Sequence, residues 1–434
     1  MPEGPPTVIV GAGLSGLVIA RELLARGRAV TIVDRNLEVG GLARTFRRGD
    51  WSFDIGPHRL RSEEWDVRRL IQGALGDDVL PAPAGGGVHA FGKTHPRGTR
   101  GAMLRALPLG AMLRGLRDFV RPEISEEDSY ESEIVATYGR TVYEALFRRA
   151  TERLLRTPAE RIDADWARLG LSRTERKEWS GGLYPRRGIG TLADALASDV
   201  LDAGGRILLD HEVRGLEAEG DRVVSVLAGE ERLAAEAVVW TAPVTLALRL
   251  LDVGPPTGLR FVSTVLYNVA LHEPHTLGHP SVCYAGEESF VRVSDPGAFS
   301  PAAVPAGKGG LCVECTCREG DDLWEDPSRH ATSILVGLAD QGAIPSVRSV
   351  EAVWPERIAD SYPVYERGYR EELRGAMASL ARYRNLVLAG RAGLFWCNRM
   401  DQAIANGLRV AARLEAERSA AESGPGDDGE FQAS

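Results

Sequence analysis

Gly11-Ala12-Gly13-Leu14-Ser15-Gly16 follows directly on the apolar run Val8-Ile9-Val10. Glycine at the first position permits a tight turn, and at the third it lets backbone amides approach a pyrophosphate with no Cβ in the way. Glycine at the sixth lets the following helix pack closely on the strand. Leu14, Leu17, Val18, Leu23 and Leu24 predict that helix, whose free N–H groups and positive dipole end would face the phosphates. Gly27 should stop it, and a second strand, Ala29-Val30-Thr31-Ile32-Val33, ends in Asp34. An acid there lies at the distance where a ribose hydroxyl pair is held. Strand, glycine turn, helix, strand and acid in this order read as a dinucleotide cradle that suits NAD and FAD equally.

The next segment, Arg35-Asn36-Leu37-Glu38-Val39-Gly40-Gly41-Leu42-Ala43-Arg44-Thr45, is a glycine doublet followed by an arginine able to reach a diphosphate. From here the chain resembles the flavoprotein superfamily of the amine oxidases, protoporphyrinogen oxidase, phytoene desaturases and UDP-galactopyranose mutase. The resemblance implies an FAD whose phosphates and ribityl chain are wrapped by Arg35, Gly41, Leu42, Ala43 and Arg44. It implies that Phe53-Asp54-Ile55-Gly56-Pro57-His58-Arg59 passes along one flavin face, with His58 beside the ring. Val213 matches the position whose backbone meets adenine, and Thr241 ends a strand expected beside the first one. Gly390 and Arg391 would lie near the pyrophosphate, and Met400-Asp401-Gln402-Ala403-Ile404 would start a helix at the flavin pyrimidine edge. A helix N-terminus suits that place, because charge on a reduced flavin gathers there.

Length and composition fit this reading. A chain of 434 residues can bury two substantial cores, and a net charge of -9 argues against a nucleic-acid partner. No apolar run approaches membrane-spanning length, and the chain enters its first strand with no secretory leader pattern. Five unevenly placed cysteines suit reduced thiols, so a cytoplasmic location is expected.

The predicted fold is α/β: a Rossmann-like FAD-binding domain with a parallel sheet and helices, plus an α+β substrate domain with a helical insert. The FAD domain is expected to be discontinuous, over 1–80, 184–248 and 384–420. The substrate domain takes 81–183 and 249–383, and 421–434 reads as a disordered tail. Pro81 to Gly98, rich in glycine and proline, marks the exit from the first domain. Met103 to Val120 could form a basic amphipathic helix on a membrane surface. Pro108 and Gly110 interrupt it, and a substrate-domain helix is the preferred reading, with no membrane contact expected. Ser129 to Arg156 carries one long helical periodicity.

No metal site is expected. Cys312, Cys315 and Cys317 on a strand would split between two faces, and His272, His275 and His279 lie in loop. Among candidate bases His58 is the one placed beside the flavin; Tyr267, Tyr284, Arg292, Tyr362 and Tyr365 are candidates for the pocket wall. The expected activity is removal of hydride from a small molecule to flavin N5 in a specialised biosynthetic pathway. A redox-neutral sugar mutase or epimerase on a nucleotide-linked substrate is the second reading, and a non-catalytic flavin-binding partner protein the third.

Overall fold

The computed structural model describes residues 5–120, 127–175, 182–255 and 257–423. Thr7–Val10 (β1) is buried at every position, as expected of a strand covered on both faces. It feeds the helix Leu14–Leu24 (α1), and Val30–Val33 (β2) returns parallel to β1. Ala237–Trp240 pairs parallel with β1 on its other side, Leu386–Leu388 lies beyond it, and Arg206–Leu208 lies outside β2. The result is a five-stranded parallel sheet assembled from segments far apart in sequence, with β1 at its centre. Such a sheet presents its ligand face at the carboxyl ends of the strands. Gly11, Asp34, Thr241 and the Ala389-Gly390 turn all fall at that edge.

The second body is a seven-stranded sheet built mainly from Phe261–Leu271, Arg292–Ser294, Gly309–Cys317 and Val350–Pro363. One face of Gly309–Cys317 carries Leu311, Val313, Cys315 and Cys317 into a core with the Pro327–Asp340 helix. Cys312 faces the other way, toward Phe46, Trp51 and Phe53. This is the period-two alternation predicted for the cysteine strand.

Within Pro81 to Gly98, expected to mark the exit from the first domain, Gly87–Ala90 and Lys93–Pro96 form a hairpin on the edge of the large sheet. Several expectations are corrected. The stretch from Ser129 to Arg156 is not one helix. It breaks after Tyr130–Tyr138 because Gly139 takes φ +84°, and a π segment over Tyr143–Phe147 follows before Arg148–Leu155. The Tyr369–Leu380 helix, placed with the substrate domain, packs in the core beneath the parallel sheet with Val8, Val238 and Leu248. The final helix runs Met400–Ser423, into the start of the expected tail; 424–434 lie outside the described residues.

One buried carboxylate ties the hairpin Thr45–Arg48/Trp51–Asp54 to the loop that re-enters the parallel domain. Asp54 accepts hydrogen bonds from the Thr45 hydroxyl (2.7 Å), the Tyr184 hydroxyl (2.7 Å) and the Ile189 amide (3.2 Å). Burial outweighs those three bonds and raises its pKa to about 6. The folded protein therefore keeps a proton that the unfolded chain gives up. Stability from this group is complete below the ordinary aspartate range and is lost as pH rises from there through about 6, above which no more is lost. At 1.36 kcal/mol per pKa unit the loss is about 3 kcal/mol. Asp54→Asn is accordingly expected to gain on the wild type by about that amount between pH 4 and 7. Denaturant unfolding at both pH values checks this, and parallel pH curves for the two proteins would contradict it.

Candidate cofactor and active site

The cradle is shaped by close backbone approach. Gly11 has φ +108°, and a Cβ built on it would lie 2.1 Å from Thr241 Oγ1, which itself donates to the Val10 carbonyl (2.7 Å). A Cβ on Gly16 would fall 2.0 Å from the Gly11 carbonyl oxygen. Gly13 bridges to Gly40, and Gly41 brings its Cα against Gly13. The N-terminus of α1 has neither a side-chain cap nor an acid in its first turn, which leaves its amides and dipole for an anion. Ala12 and Leu14 are buried beneath it. Ser15 donates to the Ala403 carbonyl (3.2 Å), so the start of the Met400–Ser423 helix lies beside the start of α1. Gly390, at φ +72°, lies against Thr241 and Ser15.

Asp34 is nearly buried. Its carboxylate accepts from the Ala12 amide (2.7 Å) and from the Asn36 amide and side chain (2.8 and 2.7 Å). Its carbonyl accepts from the His211 amide, which brings Val213 to the same corner. Arg44 donates to the Gly41 carbonyl (3.0 Å), packs over the Phe46 ring, and is lowered in pKa by burial. Leu42 packs on the Phe46–Phe53 cluster and Ala43 is buried.

Not every predicted residue turns its side chain inward. Arg35 pairs with Asp360 near the surface (3.1 Å). Ile404 is wholly buried in the α1 core, and Val213 packs in the core on the other side of the sheet, so these two could offer only backbone. Asp401 is held by Arg399 through two contacts (3.0 and 2.8 Å), and Gln402 caps the helix by accepting from the Arg399 amide (2.9 Å). Met400 is half-buried against the α1 core.

The second cluster surrounds Gly56, Pro57 and His58. Across three strands of the large sheet Leu266, Glu314 and Arg292 stand side by side beneath Gly56. Arg292 grips Glu314 through two bonds (2.5 and 2.7 Å) and donates to the Tyr362 hydroxyl (3.2 Å). Burial alone would lower the Arg292 pKa, but the Glu314 charge raises it well above its ordinary value. Arg391 donates to the Ser361 and Asn398 carbonyls (3.3 and 2.5 Å). His58 lies near both arginines. Burial first, then their charges, push its pKa down to about 3, so the ring is neutral at physiological pH. Tyr365, also predicted for the wall, accepts from the Cys397 amide (2.9 Å) and meets Trp166 edge-on. Tyr267 and Tyr284 sit instead in the core on the opposite face of the large sheet.

Several buried polar atoms here have no hydrogen-bond partner among the described residues: His58 Nδ1, Asn398 Nδ2, and both amide atoms of Asn268. Asn268 stands between Cys312 and Trp354, one row from Leu266 and Glu314. Buried polar groups without partners are costly, so their grouping near Gly56–His58 is what a site for a polar ring system leaves behind. The glycine cradle, the uncapped helix end and these unmatched donors and acceptors fit an FAD. The sequence singles out His58 and Arg292, which the structure brings into this cluster, but not Glu314 and Asn268, which stand beside them. The one available signal was polar residues at inward positions of otherwise apolar strands.

Fold and site together define a dinucleotide-binding protein whose cradle fits a flavin nucleotide. The family profile for flavin containing amine oxidoreductases matches residues 14–414, and the chain belongs to that family; its cofactor is FAD. A phytoene dehydrogenase of Streptomyces griseus is 28% identical over 288 residues, 57% of this chain and 56% of that protein. An L-amino-acid oxidase of Sistrurus catenatus edwardsii is 45% identical over 65 residues, 15% of this chain and 13% of that protein. The chain thus spans little more than half the length of the first relative and a small part of the second. A structure of reduced UDP-galactopyranose mutase superposes with TM-score 0.82 at 16% identity, covering 99% of this chain and 97% of the other, which shows a shared fold.

Gly11→Ala is expected to lower FAD affinity at least tenfold, because the new methyl collides with Thr241 in a backbone conformation alanine rarely adopts. Flavin content after purification, read beside an unchanged far-ultraviolet circular dichroism spectrum, checks this. Retention of wild-type flavin content would contradict it.

Proposed function

We propose that the protein is an FAD-dependent oxidoreductase that takes hydride from a small-molecule carbon to flavin N5 in a specialised biosynthetic pathway. The observation that carries the reading is Arg391: its guanidinium meets two carbonyls and, among the described residues, no carboxylate, beside a neutral His58. Bound FAD would supply the hydride acceptor and the reservoir for two electrons.

In this reading Gly11, Ala12, Gly13, Leu14, Ser15, Gly16, Gly41, Arg44 and Gly390 hold the diphosphate and ribityl chain, and the start of the Met400 helix faces the flavin pyrimidine edge. Asp34 and Val213 hold the adenosine end. The resemblance sets Arg391 near the pyrophosphate; its closeness to His58 supports placing its charge within reach of the flavin ring instead, where it would stabilise the negative charge that hydride brings without reorganising. Arg292 is different, since Glu314 already neutralises it; the pair supports Gly56 and orients Tyr362 toward the pocket. His58, with a conjugate acid near 3, is a poor proton acceptor at neutral pH. It positions through its unpartnered Nδ1 more readily than it serves as a base. Trp166, Tyr362 and Tyr365 form an aromatic wall that keeps water from the reacting carbon. Five free thiols support a reducing compartment, and the cytoplasm is the proposed location.

The full-length superposition on the mutase supports a second reading, a redox-neutral rearrangement of a nucleotide-linked sugar. Anaerobic mixing with amines, amino acids, alcohols, polyenes and nucleotide sugars separates the two. The first reading predicts bleaching of the flavin absorbance by one of the first four classes. Turnover of a nucleotide sugar only after chemical reduction, with no net acceptor use, would replace it with the second, and a flavin that none of them bleaches or engages would contradict both.

Arg391→Met is expected to make the bound flavin harder to reduce and to slow its reduction by roughly 100-fold, the scale for losing one preorganised donor. A spectroscopic redox titration reads the potential independently of turnover. An unchanged potential would remove Arg391 from this role.

A further inference from the structure

The helix Leu109–Val120 turns a row of apolar side chains to the outside: Leu109 is 70% exposed, Leu113 59%, Leu116 45% and Val120 80%. Spacings of four, three and four residues set them on one line at 3.6 residues per turn. The opposite side is the one that packs. A Cβ on Gly115 would strike Leu104, and Asp118 accepts from the Thr141 amide (2.7 Å). Pro108 divides the segment into Arg100–Arg105 and Leu109–Val120, and the leucines of the second piece face out.

Charge around the row is equally one-sided. Arg114 and Arg117 on the helix, and Arg100 and Arg105 just before it, are exposed. No carboxylate among the described residues pairs with any of these four. Elsewhere exposed arginines of the helical insert are matched, as Arg168 is with Asp128 and Glu133 and Arg149 with Glu287. An unmatched basic patch on a chain of net charge -9 calls for an anionic partner.

We propose that Arg100–Val120 docks this protein on an anionic lipid surface. Leu109, Leu113, Leu116 and Val120 enter the boundary of the acyl chains, and the four arginines meet the headgroup phosphates. The helix lies in the plane of the surface; no described helix is long and apolar enough to cross a membrane. A second copy is the weaker occupant. Twofold pairing sets each patch against itself, which would bring Arg114 and Arg117 toward their own counterparts. The inference stands apart from the reaction proposed above, because none of these residues belongs to the site.

Flotation of the full-length, FAD-loaded protein with vesicles tests it, comparing pure phosphatidylcholine with vesicles containing about one third phosphatidylglycerol. Binding is expected to the anionic vesicles only and to weaken with salt. Leu113→Asp with Leu116→Asp, and separately Arg114→Glu with Arg117→Glu, should each reduce the bound fraction about tenfold or more, with melting temperature and flavin spectrum unchanged. Failure of the folded wild type to float would overturn the proposal, as would equal flotation of either variant pair. So would a solution dimer that Leu113→Asp with Leu116→Asp dissociates, which would assign the row to a second copy.

Discussion

Backbone contact at the carboxyl edge of the parallel sheet is the constraint on which the rest depends. Gly11 lies against Thr241, Gly13 beside Gly40, Gly16 on the Gly11 carbonyl, and Gly390 against Ser15. Each contact is one a Cβ would block or crowd, or one that needs a backbone conformation open mainly to glycine. Together they join three distant parts of the chain around one edge: the N-terminal unit, the Ala237–Trp240 strand and the C-terminal strand and helix. The surface so formed is lined by amides and one helix end with nothing of its own to neutralise it, which is why it suits a diphosphate.

The large sheet supplies the opposite wall, and its chemistry depends on burial. Glu314 and Arg292 satisfy one another, so their charges support the Gly56 turn without adding net charge to the pocket. Arg391 has no carboxylate partner among the described residues, and burial holds His58 neutral. In the reaction proposed above, a neutral ring and an unmatched cation side by side would favour growth of negative charge at the reacting carbon's acceptor over proton abstraction by the protein. Asp54 sits behind this wall, and its bonds to Thr45, Tyr184 and Ile189 fix the hairpin that leads into Gly56.

Much of this was legible in the residues because the signals are local. The glycine spacing from Gly11 to Gly16, the acid at Asp34 and the alternation through Cys312, Cys315 and Cys317 all act over a few positions, where period and conformational freedom decide the outcome. Where the structure differs, the deciding partner is remote or a single residue outweighs the pattern. The Gly87–Ala90 strand exists because Ser281–Tyr284 pairs with it, and nothing in its glycine-rich surroundings announces that. Gly139 breaks a helical periodicity that is otherwise continuous. Glu314 on a strand is an ordinary buried acid until Arg292, brought alongside by sheet register, makes it half of an ion pair.

Quantitative flavin analysis of the whole protein tests the central claim most directly. Denaturation of the purified chain should release one FAD per polypeptide, and the refolded flavin-free protein should take up one FAD again with a rise in melting temperature. A protein that carries no flavin, and whose melting temperature does not move when FAD is added, would contradict the assignment of this sheet edge as an FAD cradle.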